Sequence, residues 1–471
     1  MPVNSFLDYP LSWKPDKTQL KRPLYLALAD LLEQDITHSR LAPGTKLPPQ
    51  RELADYLDIH FTTVTRTYKL CERKGLIYAV VGSGTFVSPN AARSITISLD
   101  GTPQEYIELG FVASFEQCNS MVTPAAQKVA EKKYLSHLFN YDHPTGMPHQ
   151  KLAGLNWMKG LGIQAEPQQT AIVSGTLNGL AVTLFALFEP GSRIAVDQFT
   201  YSNFIELAKT LHIQLVPIDG DLEGMSAEAL ENQCRLTDIR GLYLMPSCCN
   251  PTTVMISQRR KLELAEVIRK QKLILIEDDI HAFLTAGILS DYHQPMYQLV
   301  PEHTVYICGT SKSLCSGLRI AYMVFGEAFR QPIQQAIFNI NVKSSALDGE
   351  VITELILSGR AYEIVAEKRR LALQANDLFY SFFPASDLPH HSPFRLGHPL
   401  SFFRWLPIPA DRQVPQLLEN LQSRGVRVFD SNRFVTAPHG QEHYLRVALS
   451  STKSLDELAQ GLAVLREVLW T

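Results

Sequence analysis

From about residue 111 onward the chain alternates short β-branched or Leu-rich runs with longer helical stretches, a pattern that few folds accept. The runs are TAIVS, RIAVD, IQLVPI, GLYLMP, LILIED, TVYIC and IAYMVF. Most are separated by segments of helical pattern such as LNGLAVTLFALF, NFIELAKTL and QRRKLELAEVIRKQK. This alternation predicts an α/β domain whose sheet is covered on both faces. Ligands of such sheets collect at the carboxyl ends of the strands, so the residues that follow each run carry the functional question.

After TVYIC comes CGTSKSLCSGLR, ahead of the strand-like IAYMVF. A lysine in a Gly/Thr/Ser-rich turn, with an arginine seven residues on, suits a cofactor joined to lysine as an imine and bearing a phosphate. Lys312 supplies the amine. Gly309, Thr310 and Ser311 bring backbone and hydroxyl donors, and Arg319 adds a planar, permanently charged fork. An exposed turn with two unrelated basic residues would read the same way. After TAIVS, the turn Gly175, Thr176, Leu177 opens a helix whose first N–H groups can hold an anion. After LILIE stand Asp278 and Asp279; a carboxylate there can keep a pyridine nitrogen protonated, while a helix cap or turn is the plainer use of such a pair. Asn250, before Pro251 in SCCNPTT, can donate to a phenolate oxygen, and Tyr201 in DQFTYSNF can lay its ring on a flat cofactor or simply pack.

Residues 20 to 77 differ in pattern. YLALADLLEQDI has helical 3 and 4 spacing, LAPGTKLPPQ breaks it, RELADYLD gives a second short helix, and a third runs from Thr62 to about Lys74, with Thr62 and Thr63 available to cap it and Gly75 to stop it. Two short strands in LIYAVV and TFVS, joined by Gly82, Ser83 and Gly84, complete a winged helix-turn-helix. The third helix carries Arg66, Lys69, Arg73 and Lys74 against one acid, Glu72, which is the electrostatic footprint of a recognition helix. Thr62, Thr63, Thr65 and Arg66 sit in its N-terminal half, where such helices reach base edges or phosphates.

The net charge of −3 over 471 residues argues against a whole surface that coats nucleic acid or membrane, so DNA contact must be local. Seven cysteines at 71, 118, 234, 248, 249, 308 and 315 lack the spacing of a zinc site or disulfide framework and read as free thiols; no metal is expected. No apolar run of signal-peptide or membrane-spanning length is found, which reads as a cytoplasmic protein. The expected domains are residues 1–89, the DNA reader; 90–110, a linker; and 111–471, the α/β unit, with a C-terminal α+β small subdomain from about 350.

Two resemblances carry the reading further. LAPGTKLPPQRELADYLDIHFTTVTRTYKLCERKGLIYAVVGSGTFVSP looks like the DNA-binding domain of GntR-family transcription regulators. That likeness implies operator contacts by Arg51, by the start of the recognition helix and by Arg66, with the Gly-Ser-Gly-Thr wing around Gly84 along the minor groove. Phe61 departs from it, standing where many members have an arginine. Downstream, a Gly-Thr clamp, a Tyr, an Asn-Pro, a strand-end Asp, a Ser-Lys and an Arg, in that order, resemble the fold-type I aminotransferases, whose sheet is mixed and mostly parallel and whose cofactor is pyridoxal 5'-phosphate. By that resemblance Lys312 forms the internal aldimine, Asp278 pairs with the pyridine nitrogen, Asn250 holds the ring hydroxyl and Tyr201 stacks on the ring. Gly175, Thr176, Leu177, Ser311 and Arg319 would hold the phosphate, with Tyr141 of YDHPTG joining from a partner subunit, and Arg446 in HYLRVALS would grip an effector α-carboxylate. The family's usual tyrosine after the aspartates is missing; His281 could take its place, with a charge that varies near neutrality, and Gly309 replaces a common serine.

A GntR-type reader ahead of an aminotransferase-like domain is the architecture of the MocR subfamily of bacterial regulators, which the chain resembles over its length. The resemblance implies a head-to-tail homodimer, each reader resting on the partner's large domain and binding double-stranded operator DNA. An amino compound or pyridoxal phosphate itself would be sensed through an external aldimine at Lys312. The domain would then serve as a sensor more than as an efficient transaminase. A working aminotransferase with an accessory reader, and a DNA-binding protein whose large domain only dimerises, are the alternatives. Effector, operator and direction of regulation are not legible in the sequence.

Overall fold

A computed structural model describes residues 11–38, 40–42, 44–80, 83–88, 91, 106–286, 294–384, 397–436 and 442–470. Gly82 of the expected wing turn and residues 92–105 of the expected linker lie outside them. The N-terminal unit has helices α1 (Leu24–Thr37), α2 (Gln50–Leu57) and α3 (Phe61–Arg73), followed by strands β1 (Ile77–Val80) and β2 (Gly84–Val87). Leu28 and Leu32 of α1, Leu53 and Leu57 of α2, and Val64 and Tyr68 of α3 close on one core with Ile77 and Val87. The two strands pair antiparallel from Ile77↔Val87 to Val80↔Gly84. Helix α3 begins one residue earlier than expected. His60 Nδ1 accepts from the Thr62 N–H at 3.3 Å and so does the capping that the sequence assigned to Thr62 and Thr63. Gly75 follows at φ 69°, a left-handed stop that a side chain would strain.

The seven apolar runs all become strands of one sheet: β3 (Thr170–Val173), β4 (Arg193–Asp197), β5 (Gln214–Ile218), β6 (Gly241–Leu244), β7 (Ile274–Asp278), β8 (Thr304–Gly309) and β9 (Ala321–Phe325). Their order is β3-β9-β8-β7-β6-β4-β5. Five neighbours from β8 to β5 run parallel, and β9 is antiparallel to both β8 and β3, so the sheet is mixed and mostly parallel. Helices α4 (Thr176–Leu187), α5 (Ser202–Thr210) and α6 (Gln258–Gln271) connect strands. Leu180 and Leu184 of α4 and Phe204 of α5 pack with Ile276, Ile307 and Met323 on one face; Leu264 and Ile268 of α6 pack with Leu242, Leu244 and Leu275 on the other. Coverage of both faces explains why β3, β6 and β9 are buried at every residue and read as unbroken apolar runs.

The C-terminal unit holds α7 (Arg360–Phe382), β10 (Phe403–Pro407), β11 (Phe429–Asp430), β12 (Tyr444–Ala448) and α8 (Leu455–Trp470). Its antiparallel sheet runs β10-β12-β11. Ile107–Glu108, inside the segment expected as linker, already forms a parallel ladder with Val426–Arg427. The chain therefore enters the large domain through the small subdomain and then crosses the sheet's carboxyl edge. Among the described residues no helix is long and apolar enough to cross a membrane.

Within the single chain the reader lies against the large domain that follows it. The turn after α3 meets α5, where a Cβ on Gly75 would stand 3.3 Å from Lys209 Cγ. A cleft of about 670 Å³ lies beside this contact, with Tyr78 and Phe86 on the reader's side and Ile205, Leu215 and Pro217 on the other.

Candidate functional site

Strand β8 ends at Gly309 and delivers a single helical turn, Thr310–Ser313, with Lys312 inside it. Thr310 ties the turn to the next strand, its Oγ1 donating to the Ile320 carbonyl at 2.7 Å. Lys368, buried on α7, donates to the carbonyls of Lys312 and Leu314 at 3.0 and 2.9 Å and fixes the turn from behind. Lys312 Nζ donates to the carbonyl of Val112 and, at 3.4 Å, to that of Ala113. Burial pushes its pKa down to about 7, helped by the positive charges of Arg446, Lys368 and Arg319. A neutral, nucleophilic amine is thus available near neutral pH.

The anion cup forms where α4 begins. Gly175 has φ 87°, and a Cβ there would come within 2.6 Å of Arg319 Nη2, so only glycine lets the guanidinium lie over the helix N-terminus. Arg319 is itself left-handed, φ 51°, and its Nη1 donates to Ser311 Oγ at 2.9 Å. Thr176 Oγ1 is buried without a partner, and a Cβ on Gly309 would collide with it. The helix's first amides, two hydroxyls and a guanidinium therefore converge on one point, as a phosphate requires. Gly309, expected as a departure, is the residue whose missing side chain leaves room for Thr176.

At the end of β7, Asp278 is buried and accepts from Tyr243 Oη at 2.9 Å, while its Oδ1 has no partner. Burial raises its pKa to about 7, with the Tyr243 hydrogen bond opposing. An orphaned carboxylate oxygen of this kind fits a protonated ring nitrogen. Tyr243, which the sequence offered only as a strand residue, stacks on Phe204 with ring centroids 3.8 Å apart. Its position one strand away from Asp278 is the signal that could have found it. Tyr201 immediately precedes α5; burial pushes its hydroxyl up to about 12, with Asp278 adding and Arg446 and Arg319 subtracting, so it shares a neighbourhood with all three.

Arg446 lies buried on β12, not on the surface. Its Nη1 donates to Asn250 Oδ1 at 2.9 Å and its Nη2 to the Gly110 carbonyl at 2.6 Å, while Nε is orphaned. Burial lowers it to about 9, and its Cζ sits 4.6 Å from the Phe434 ring centre. Asn250 is joined to Pro251 by a cis peptide, and with its Oδ1 engaged its amide N–H groups are left to donate. His281 is buried with both ring nitrogens unpartnered. Burial first, then Lys312, His398 and Arg446, push its pKa down to about 3, which corrects the expectation of a charge that varies near neutrality: the imidazole is neutral there. Leu177 stands in the first turn of α4 and is partly exposed. Tyr141 is 83% exposed and takes part in none of the contacts above.

On the reader, Arg51, Thr62, Arg66 and Gly84 are exposed and Thr63 and Thr65 half-buried. The Thr65 hydroxyl donates to Gln50 Oε1 at 2.8 Å, which ties α3 to the start of α2. Phe61 lies under Arg51, 5.8 Å from ring centre to Cζ, and Tyr25 lies under Arg66 at 5.3 Å. The aromatic departure thus props an arginine.

Residues 113–462 match the family of aminotransferase class I and II, and residues 24–87 match the bacterial regulatory proteins of the gntR family. The chain is 36% identical over 473 residues to YdeF, an HTH-type transcriptional regulator of Bacillus subtilis, spanning 100% of this chain and 99% of that one. It is 26% identical over 309 residues to PtsJ, the vitamin B6 salvage pathway transcriptional repressor of Salmonella typhimurium, covering 64% and 67% of the two chains. Among solved structures, a kynurenine aminotransferase of Pyrococcus horikoshii superposes with a TM-score of 0.69 at 20% identity, over 78% of this chain and 91% of that one. LysN, an α-aminoadipate aminotransferase of Thermus thermophilus, does so at 0.67 and 20%, over 78% and 92%. The structural likenesses establish the fold.

Proposed function

The chain belongs to the MocR subfamily of GntR-type transcriptional regulators, a winged helix-turn-helix joined to an aminotransferase class I and II domain, and from that membership we propose that it regulates transcription by sensing an amino compound, or pyridoxal phosphate itself, at Lys312. The observation that carries this reading is the convergence of a half-buried amine, an anion cup and an orphaned carboxylate oxygen at the ends of β8, β3 and β7. These residues fit pyridoxal 5'-phosphate: Gly175, Thr176, Leu177, Ser311 and Arg319 for the phosphate, Asp278 for the ring nitrogen, Asn250 and neutral His281 for the ring hydroxyl, Tyr201 for the ring face. The cofactor supplies an aldehyde that condenses with amines. The naming of PtsJ after vitamin B6 salvage supports the cofactor itself as one effector.

Lys312 holds the cofactor's attachment point, and Arg446, with its free Nε, is the cation for an effector carboxylate. Helix α5 connects this site with the reader, Tyr201 at its start and Lys209 near its end against Gly75. A ligand that binds one arrangement of α5 better than another would shift the reader between operator-binding geometries. The exposed Tyr141 and the family resemblance favour a homodimer in which Tyr141 reaches a partner's phosphate.

The test is the visible absorbance of the purified protein with added pyridoxal phosphate, before and after borohydride, with Lys312→Ala beside it. A band that borohydride removes and Lys312→Ala lacks, shifted by an amine that also changes operator binding, is the expected result. Sustained amino transfer to a keto acid with no effect on operator binding would instead favour the enzyme reading.

A further inference from the structure

We propose that a second cavity, of about 680 Å³ and apart from the Lys312 site, binds a small organic cation. Its floor is Asp197 at the end of β4, Ile218 at the end of β5 and Met245 just past β6; its roof is Trp405 and Tyr444 of the small subdomain, with Glu442 at the rim. The carboxyl ends of these strands are where an α/β sheet accepts ligands. None of Lys312, Asp278, Asn250, Arg319 or Arg446 lines it.

Three aromatic rings form one wall. Phe199 meets Trp405 edge-on at 5.3 Å and Tyr444 at 6.0 Å, and Trp405 and Tyr444 stack 5.1 Å apart. Asp197, Asp221 and Glu442 also line the space, and among the described residues neither lysine nor arginine does. Two of the acids have partners: Asp221 accepts from Arg260 at 2.8 Å and Glu442 from the Tyr444 hydroxyl at 2.6 Å. Among the described residues Asp197 is met by the Cys249 thiol alone, 3.8 Å from its Oδ2. Burial raises Asp197 to about 7 with no cation opposing, and a bound positive charge beside it would favour its charged form. A cavity lined by aromatic rings together with a carboxylate that no described cation pairs selects an organic cation, through cation–π attraction plus charge. A metal ion is disfavoured, since among the described residues no group of three or more His, Cys, Asp or Glu is placed to hold one.

The cavity also borders the Lys312 site closely enough to influence it. Cys249 precedes Asn250, Trp405 is the cross-strand partner of Arg446, and Tyr444 lies two residues before Arg446 on the same face of β12. An occupant would therefore press on the residues that set the effector carboxylate site.

The experiment is a calorimetric titration of the full-length protein, loaded with pyridoxal phosphate, with choline. Choline is a quaternary ammonium and cannot condense with an aldehyde, so its binding is read independently of Lys312. Its neutral isostere 3,3-dimethyl-1-butanol is the control, and tetramethylammonium and acetylcholine, which also lack a primary amine, extend the panel. Saturable binding of at least one cation, absent for the isostere and weakened tenfold or more by Asp197→Asn, is expected, with a smaller loss in Glu442→Gln at the rim. Thermal denaturation of both variants reports whether they fold. No saturable binding of any of the three cations, equal binding of the isostere, or undiminished binding in folded Asp197→Asn would overturn the proposal and leave the Lys312 reading untouched.

Discussion

Lys312 differs from a surface lysine because burial, helped by the positive charges of Arg446, Lys368 and Arg319, brings its amine down to about 7, where a free lysine, near 10.4, is almost wholly protonated; the two carbonyls it donates to fix its direction. The sign follows directly: the neutral form attacks an aldehyde, and its share rises as pH rises through about 7. The rate at which the visible band appears on mixing with pyridoxal phosphate should therefore climb between pH 6 and 8, on the order of one unit either side of the pKa, and then level off. Stopped-flow absorbance reads this, and a rate still climbing to pH 10 would contradict it. Gly309 makes a second case. A Cβ there strikes Thr176 Oγ1, so Gly309→Ser, although it restores the side chain common in the resembling enzymes, should cost about 1–3 kcal/mol by overpacking. It should also weaken cofactor retention, and a lowered Tm together with faster loss of the band on dialysis is the expected pair of readings.

Among the elements, helix α7 acts on the site without touching a ligand. Lys368 crosses from it to the carbonyls of Lys312 and Leu314, and is also one of the charges that depress the Lys312 amine. Lys368→Met keeps the aliphatic stem but leaves both carbonyls without that donor. A loss of about 1–3 kcal/mol in stability is expected, measured by denaturant unfolding. Removing the charge should move the midpoint of the band-formation profile to higher pH, an effect that a purely structural role would not produce. Strand β12 has a similar double duty, since Arg446 spans from Asn250 to Gly110 and so ties the small subdomain to the large one.

Over the whole molecule, an acidic chain with net charge −3 carries a basic reading helix, so DNA affinity must rest on few contacts. Arg66→Ala should cost about 1–3 kcal/mol of operator affinity and, if it contacts a phosphate, reduce the salt slope by about 1. Fluorescence anisotropy across a salt series checks both. Because Lys209 of α5 meets the turn after the reading helix, Lys209→Ser should shrink the effect of ligand on operator affinity while leaving the absorbance spectrum unchanged; an undiminished ligand effect would exclude this route. The sequence by itself determined the seven strands, their helices, the reader and the cup-forming residues. Buried parallel strands must be continuous apolar runs, and the polar turns that interrupt them fall at one edge of the sheet. Only the tertiary structure decided what each site residue faces. Tyr243 on Asp278, Lys368 on the lysine turn and Arg446 on Asn250 join positions 35, 56 and 196 residues apart, and no local pattern encodes such pairs. The neutrality of His281 and the aromatic cavity above Asp197 are likewise products of burial between two units, and burial is a property of the folded chain rather than of any segment of it.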